Sequence, residues 1–203
     1  DVDAGSYAAE VRARWGSLGL PSGWLSRRGL EQAVQMTGRL AAHIDSARAQ
    51  GWERVASEVV VDVTVGRARI RGQVDRVEQH RDGRLRIIDL KTGSSKPTAE
   101  ELARHQQLGA YQVALAHGGL DIEGTPGGAA LLQLGRAAST RTPLQAQVAL
   151  ADDPDPAWAE QAMAVNAQAM AGSSFSASPR GGLCGTCQVA SSCPARAEGR
   201  QLT

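Results

Sequence analysis

The chain has 203 residues, a mass of 21.3 kDa and a formal net charge of +1. That is about one domain's length, and a composition 42% hydrophobic and 21% charged is that of a globular protein with a buried core. No apolar run approaches the roughly 20 residues that cross a bilayer, Asp1 to Glu10 lack the pattern of a signal peptide, and near-neutral charge leaves nucleic-acid binding to local basic patches.

The first fifty residues read as helical with breaks. Ser26 is placed to cap a helix from Arg27, with Leu30, Val34, Ala41 and Ile44 as a partial apolar stripe before Gly51. His43 on that helix is read as structural or solvent-facing. From Val55 the period becomes that of strands: Val55–Val65, a turn at Gly66, Ala68–Val77, a hairpin at Asp82-Gly83, then Leu85–Leu90. Alternation puts Arg67, Arg69, Arg71, Gln73 and Asp75 on one face of the second strand. A loop, Thr92–Pro97, leads into one helix from Thr98 to His117, with Thr98 and Glu101 as a capping box. Ala129–Leu134 and Gln145–Leu150 read as strands joined by an arginine-bearing turn. A last helix opens at Asp155-Pro156 and runs through Met170; beyond Gly172 the chain is Ser/Gly-rich.

The chemistry concentrates around Asp75 and the Asp89-Leu90-Lys91 strand end. Two carboxylates at facing strand ends can hold Mg²⁺ or Mn²⁺, which favour hard oxygen ligands. A lysine beside them can orient a water or offset charge on a phosphodiester. Only two of the 22 basic residues are lysines, Lys91 and Lys96. Taken alone, Asp-x-Lys also fits an ordinary ion pair at a strand end.

Three runs in order carry a resemblance: Gly72-Gln73-Val74-Asp75-Arg76-Val77, Ile87-Ile88-Asp89-Leu90-Lys91-Thr92-Gly93 and Gln107-Leu108-Gly109-Ala110-Tyr111. Over about residues 54 to 117 the chain resembles the RecB-like branch of the PD-(D/E)XK nucleases. The resemblance implies an α/β fold, a mixed central β-sheet flanked by helices in the restriction-endonuclease-like arrangement. It implies Asp75 and Asp89 as metal ligands, with the Leu90 carbonyl a third, and Lys91 as the catalytic lysine. Gln107 and Tyr111, one helical turn apart, would stand beside the site. Glu58 matches an acidic position on the first strand of many relatives and is read as supporting. Such nucleases also carry an upstream G-x-x-x-H helix whose histidine binds the metal. Nothing here matches it, since His43 follows Gly38 by five positions. The expectation is that the chain begins downstream of that helix.

Cys184, Cys187 and Cys193 are spaced C-x2-C-x5-C. An odd, clustered set makes a poor disulfide framework and a better metal-ligand set, which implies a reducing, cytoplasmic setting. Three thiolates need a fourth ligand for Zn²⁺ or a [4Fe–4S] cluster. The resemblance to AddB- and AdnB-type helicase–nucleases favours the iron–sulfur cluster, with zinc the alternative. The implied activity is Mg²⁺- or Mn²⁺-dependent cleavage of single-stranded DNA fed by a helicase motor, in double-strand-break resection and recombinational repair. A stand-alone CRISPR-adaptation-type exonuclease and a non-catalytic DNA-binding module of the same fold are the alternatives. Arg67, Arg69, Arg71 and Arg76 would contact phosphates. The expected organisation is a helical segment over 1–53, the nuclease core over 54–172 and the cysteine tail over 173–203.

Overall fold

A computed structural model of the protein describes residues 4–135, 144–174, 176–177 and 183–196. Two helices come first, α1 (Ala4–Trp15) and α2 (Trp24–Ala49). Three strands follow, β1 (Trp52–Val65), β2 (Ala68–His80) and β3 (Arg84–Lys91), then α3 (Ala99–Ala103) and α4 (Gln106–Ala116). The order closes with β4 (Thr125–Gln133), β5 (Leu144–Gln147) and α5 (Trp158–Met170). The chain divides into two compact units, residues 1–165 and 166–203. No described helix is long and apolar enough to cross a membrane.

The five strands form one sheet in sequence order, antiparallel except for the parallel β3–β4 pair. A parallel neighbour needs a crossover, and α3 and α4 supply it. Strand alternation then divides the core in two. Leu85, Ile87, Ala129 and Leu131 pack with Leu108 of α4 on one face. Ile88, Ala130 and Leu132 pack with Met36 and Leu40 of α2 on the other. The result is three layers, the mixed sheet flanked by helices that the sequence implies. Gly109 has a packing reason within its motif: a Cβ there would lie 2.6 Å from the Trp158 ring.

Several boundaries depart from the sequence reading. The α2 helix begins at Trp24, and Ser26 does not cap it; its hydroxyl accepts a hydrogen bond from Trp15 Nε1 at 3.0 Å. The single helix over Thr98–His117 is two. The Thr98–Glu101 capping box forms, but His105 turns extended (ψ 108°) and its ring accepts from Leu108 N, starting a second helix. The fifth strand stops at Gln147 and gives way to a 3-10 turn at Leu150–Asp152. The arginine-bearing turn before it lies outside the described residues.

The second strand is not one uninterrupted face. Val74 and Val77 share an apolar cluster although strict alternation would oppose them. Between the Ser57–Arg76 and Val59–Val74 pairs, Glu58 and Asp75 stand opposite each other outside the ladder, and Glu58 takes a left-handed φ of 53°. The kink falls at Asp75, so the arginine row does not run straight into the aspartate.

Candidate active site

The β2–β3 ladder ends at Arg76 and Ile88, while β3 stays paired with β4 out to Lys91 and Gln133. The strands therefore part just where Asp75 and Asp89 stand opposite each other. Asp75 Oδ2 bridges the parting by accepting the Leu90 N–H at 2.6 Å. Asp89 projects from β3 to the α4 face, 4% exposed. Two places on, Lys91 projects the same way and sets its Nζ 2.6 Å from Asp89 Oδ2.

The α4 helix closes the network. Lys91 can only donate, so the Gln107 amide turns its Oε1 to that ammonium, at 3.0 Å. Its Nε2 is then left to donate to Asp89 Oδ1 at 2.7 Å and to the Tyr111 hydroxyl at 3.0 Å. Tyr111 donates onward to the Gln73 carbonyl of β2 at 3.1 Å. The break at His105 starts α4 one residue before Gln107, and one turn of helix carries Tyr111 to the same side. Asp75, Asp89, Lys91, Gln107 and Tyr111 thus come together as the motifs imply.

The network leaves one end open. Asp89 Oδ2 is buried and has a single partner, the Lys91 ammonium at 2.6 Å. Burial pushes the Asp89 carboxyl above the ordinary aspartate range; the Lys91 ammonium opposes this, while the Asp75 charge adds to it. A desolvated carboxylate whose outer oxygen has one ammonium for a partner, facing a second carboxylate, fits a hard divalent cation. Among the described residues no group of three or more His, Cys, Asp or Glu side chains is disposed to hold a metal. The contact seen at Leu90 is through its N–H rather than its carbonyl.

Other expected residues are placed differently. Arg76 is the register partner of Ile88 and lies on the α2 face, 8% exposed, with Nε 2.6 Å from Glu78 Oε1. It is therefore engaged in a buried ion pair, where the sequence reading expected an exposed phosphate contact. His43 joins the same cluster, its Nε2 2.9 Å from Glu78 Oε1, and this bears out the structural reading of that residue. Arg67, Arg69 and Arg71 are exposed, as expected, but Arg69 and Arg71 share Asp62, with contacts of 2.7 and 3.4 Å. Glu58, also exposed, sits across from Asp75 in the β1–β2 register. Two residues missed by sequence reasoning adjoin Lys91: His105 and Gln133, which line one recess with it. Gln133 was findable, since it ends a strand on the face of the aspartates.

In the C-terminal unit the three cysteines are free thiols. Arg196 links the outer two, donating Nη2 to the Cys184 carbonyl at 3.0 Å and its backbone N–H to that of Cys193 at 2.9 Å.

No curated protein matches the chain. The sequence profile of the PD-(D/E)XK nuclease superfamily matches residues 2–194, well beyond the span of the three motifs. With its mixed five-stranded sheet flanked by helices, this chain belongs to the PD-(D/E)XK nuclease superfamily.

Proposed function

We propose that the protein hydrolyses DNA phosphodiester bonds, with Asp75 and Asp89 holding Mg²⁺ or Mn²⁺ and Lys91 meeting the scissile phosphate. The observation that carries this reading is Asp89, a buried carboxylate whose Oδ2 has only the Lys91 ammonium against it, on a strand end that parts from its neighbour. When bound, the ion supplies charge neutralisation at the phosphoryl oxygens.

The chain's own residues then have separable roles. Asp75 and Asp89 supply hard oxygens from two strands, and the Leu90 carbonyl is the proposed third donor. Lys91 is held between Asp89 and Gln107, so its ammonium is positioned to donate to a phosphate oxygen as negative charge builds there. Gln107 positions both groups through the two ends of one amide, and Tyr111 fixes Gln107. Arg67, Arg69 and Arg71 line an exposed arm for backbone phosphates, with Asp62 as the competing partner of two of them.

The further reading rests on the RecB-like motifs and the cysteine spacing. The substrate is single-stranded DNA, the partner a helicase motor in the same chain or complex, and the setting cytoplasmic double-strand-break resection. Cys184, Cys187 and Cys193 are three ligands of a [4Fe–4S] cluster, with Zn²⁺ the alternative. The Arg196 link between Cys184 and Cys193 supports a common centre.

The test is cleavage of an end-labelled oligonucleotide in Mg²⁺, Mn²⁺ or EDTA by wild type, Asp89→Ala and Lys91→Ala. Cleavage that needs the cation and is lost in both variants, with DNA binding retained, is expected. Undiminished cleavage by either folded variant refutes the assignment.

A further inference from the structure

Two glutamine pairs lie on the α4 side of the sheet, and only one of them is closed. In the closed pair Gln147 Nε2 donates to the Leu102 carbonyl at 2.8 Å, Gln112 Nε2 to Gln147 Oε1 at 2.9 Å, and Leu150 N to Gln112 Oε1 at 3.0 Å. The other pair is Gln145 and Gln133. Gln145 Nε2 donates to the Pro97 carbonyl at 2.9 Å. A peptide oxygen only accepts, so Gln145 must present its amino group there and turn its Oε1 back to Gln133. Gln133 Nε2 donates to that oxygen at 3.1 Å. The relay thereby fixes which end of Gln133 is left over. It is Oε1, buried and without a donor.

The residue that carries this acceptor lines a recess beside Lys91. Gln133 is the register partner of Lys91, and both line a cavity of about 510 Å³ with Ser95, Lys96, Glu101 and His105. The cavity lies in the range of small-ligand pockets, roughly 300–1,000 Å³. Its wall is held in place because Leu134 N and Gly135 N both donate to the Lys91 carbonyl, at 2.7 and 3.1 Å. Both lysines of an otherwise arginine-only chain line it. The one carboxylate present, Glu101, is engaged by its own helix cap, accepting from Thr98 N at 2.8 Å. Lys91 is already held by Asp89 at 2.6 Å, so a ligand for this recess carries an anionic group for Lys96 and an N–H donor for Gln133.

We propose that the recess seats one nucleotide of the strand being cut, its phosphate on Lys96 and its base donating an N–H to Gln133 Oε1. This rests on the nuclease reading and adds a nucleotide-positioning residue, Gln133, to it. The rival occupant of such an oxygen is a buried water.

The test is NMR titration in EDTA, so that no cation contributes, with deoxycytidine monophosphate and with deoxyribose 5-phosphate, which keeps the phosphate and lacks the base. The full chain is expected to bind the nucleotide about five-fold more tightly than the sugar phosphate. Gln133→Met should erase that difference, and Lys96→Ala should weaken both ligands about five-fold, the range of one hydrogen bond or charge contact. Equal affinity of the wild type for the two ligands, which needs no variant, overturns the proposal. So does an unchanged preference in a folded Gln133→Met protein, which would leave the oxygen to water. Cleavage measured on the same preparation separates the two readings. A protein that cuts DNA but shows no base preference loses only the Gln133 role; one that binds the nucleotide through Gln133 but cuts nothing loses the nuclease reading.

Discussion

Glu78 and Asp89 are buried carboxylates on neighbouring strands, and their surroundings push them in opposite directions. Glu78, on the α2 face, is 0% exposed and accepts from Arg76 Nε at 2.6 Å, Arg86 Nε at 2.8 Å and His43 Nε2 at 2.9 Å. Burial works against its ionisation, but the hydrogen bond and charge of His43, with Arg86 and Arg76, overcome this and pull the carboxyl down to about 2. Arg86 is itself pinned over the Trp52 ring at 4.1 Å. Asp89, on the α4 face, has one ammonium and one amide, and burial prevails. A closed ion cluster holds a fold together; an open one holds charge ready for something that is not part of the chain. Each flanking helix supplies one donor, His43 from α2 and Gln107 from α4; the difference lies in the strands, which bring Arg76 and Arg86 to Glu78 but only Lys91 to Asp89.

The largest expected effect separates the two in activity. Asp89→Ala and Lys91→Ala should each cut the cleavage rate by a thousandfold or more, on the order of 4 kcal/mol of transition-state stabilisation. Glu78→Gln, assayed well below its melting temperature, should cleave at a rate close to wild type. A tenfold loss in that variant would show that the two faces are coupled.

Stability should divide the other way. Glu78→Ala leaves two guanidinium groups and a histidine buried without their acceptor, and should cost about 3–5 kcal/mol in denaturant unfolding. Asp89→Asn, in EDTA, removes a desolvated charge and should melt no lower than wild type. The pH dependence has opposite signs at the two residues. The Glu78 carboxyl is lowered to about 2 in the fold, from about 4.5 in the unfolded chain. Its contribution is therefore complete above pH 4.5 and lost as pH falls toward 2, about 3 kcal/mol in all. Asp89, raised in the fold, gains nothing from ionising, and protonating it relieves its burial. Acid titration of unfolding free energy should consequently be shallower below pH 4.5 in Glu78→Gln and no shallower in Asp89→Asn. The smallest effect is a control remote from both clusters: Thr98→Ala should cost about 1 kcal/mol by removing the capping box of α3.

Much of this was legible along the chain because it is local. The Asp82-Gly83 hairpin, the Thr98–Glu101 box and the two-residue step from Asp89 to Lys91 depend on neighbours in sequence, and all three form as read. The resemblance of the motifs extended this to Gln107 and Tyr111, which periodicity alone places on one helix side without saying what they face. What failed was the assumption of an unbroken period. The left-handed Glu58 and the shared burial of Val74 and Val77 break alternation at Asp75, and no turn residue announces it. His105 ended a helix with no glycine or proline to mark the break. Arg76 was legible and misassigned, since a position next to Asp75 and paired toward Ile88 belongs to the opposite face. The His43–Glu78 contact and the Gln133–Gln145–Pro97 relay join residues far apart in sequence, so nothing local encodes them.

The central claim, that the α4-face aspartates hold a divalent cation in the gap left by Asp89, is tested most directly by calorimetric titration of Mn²⁺ into wild type and Asp89→Asn without DNA. The account predicts that wild type binds Mn²⁺ and that Asp89→Asn binds it at least tenfold more weakly while melting no lower in EDTA. Equal affinity in the two proteins would contradict it.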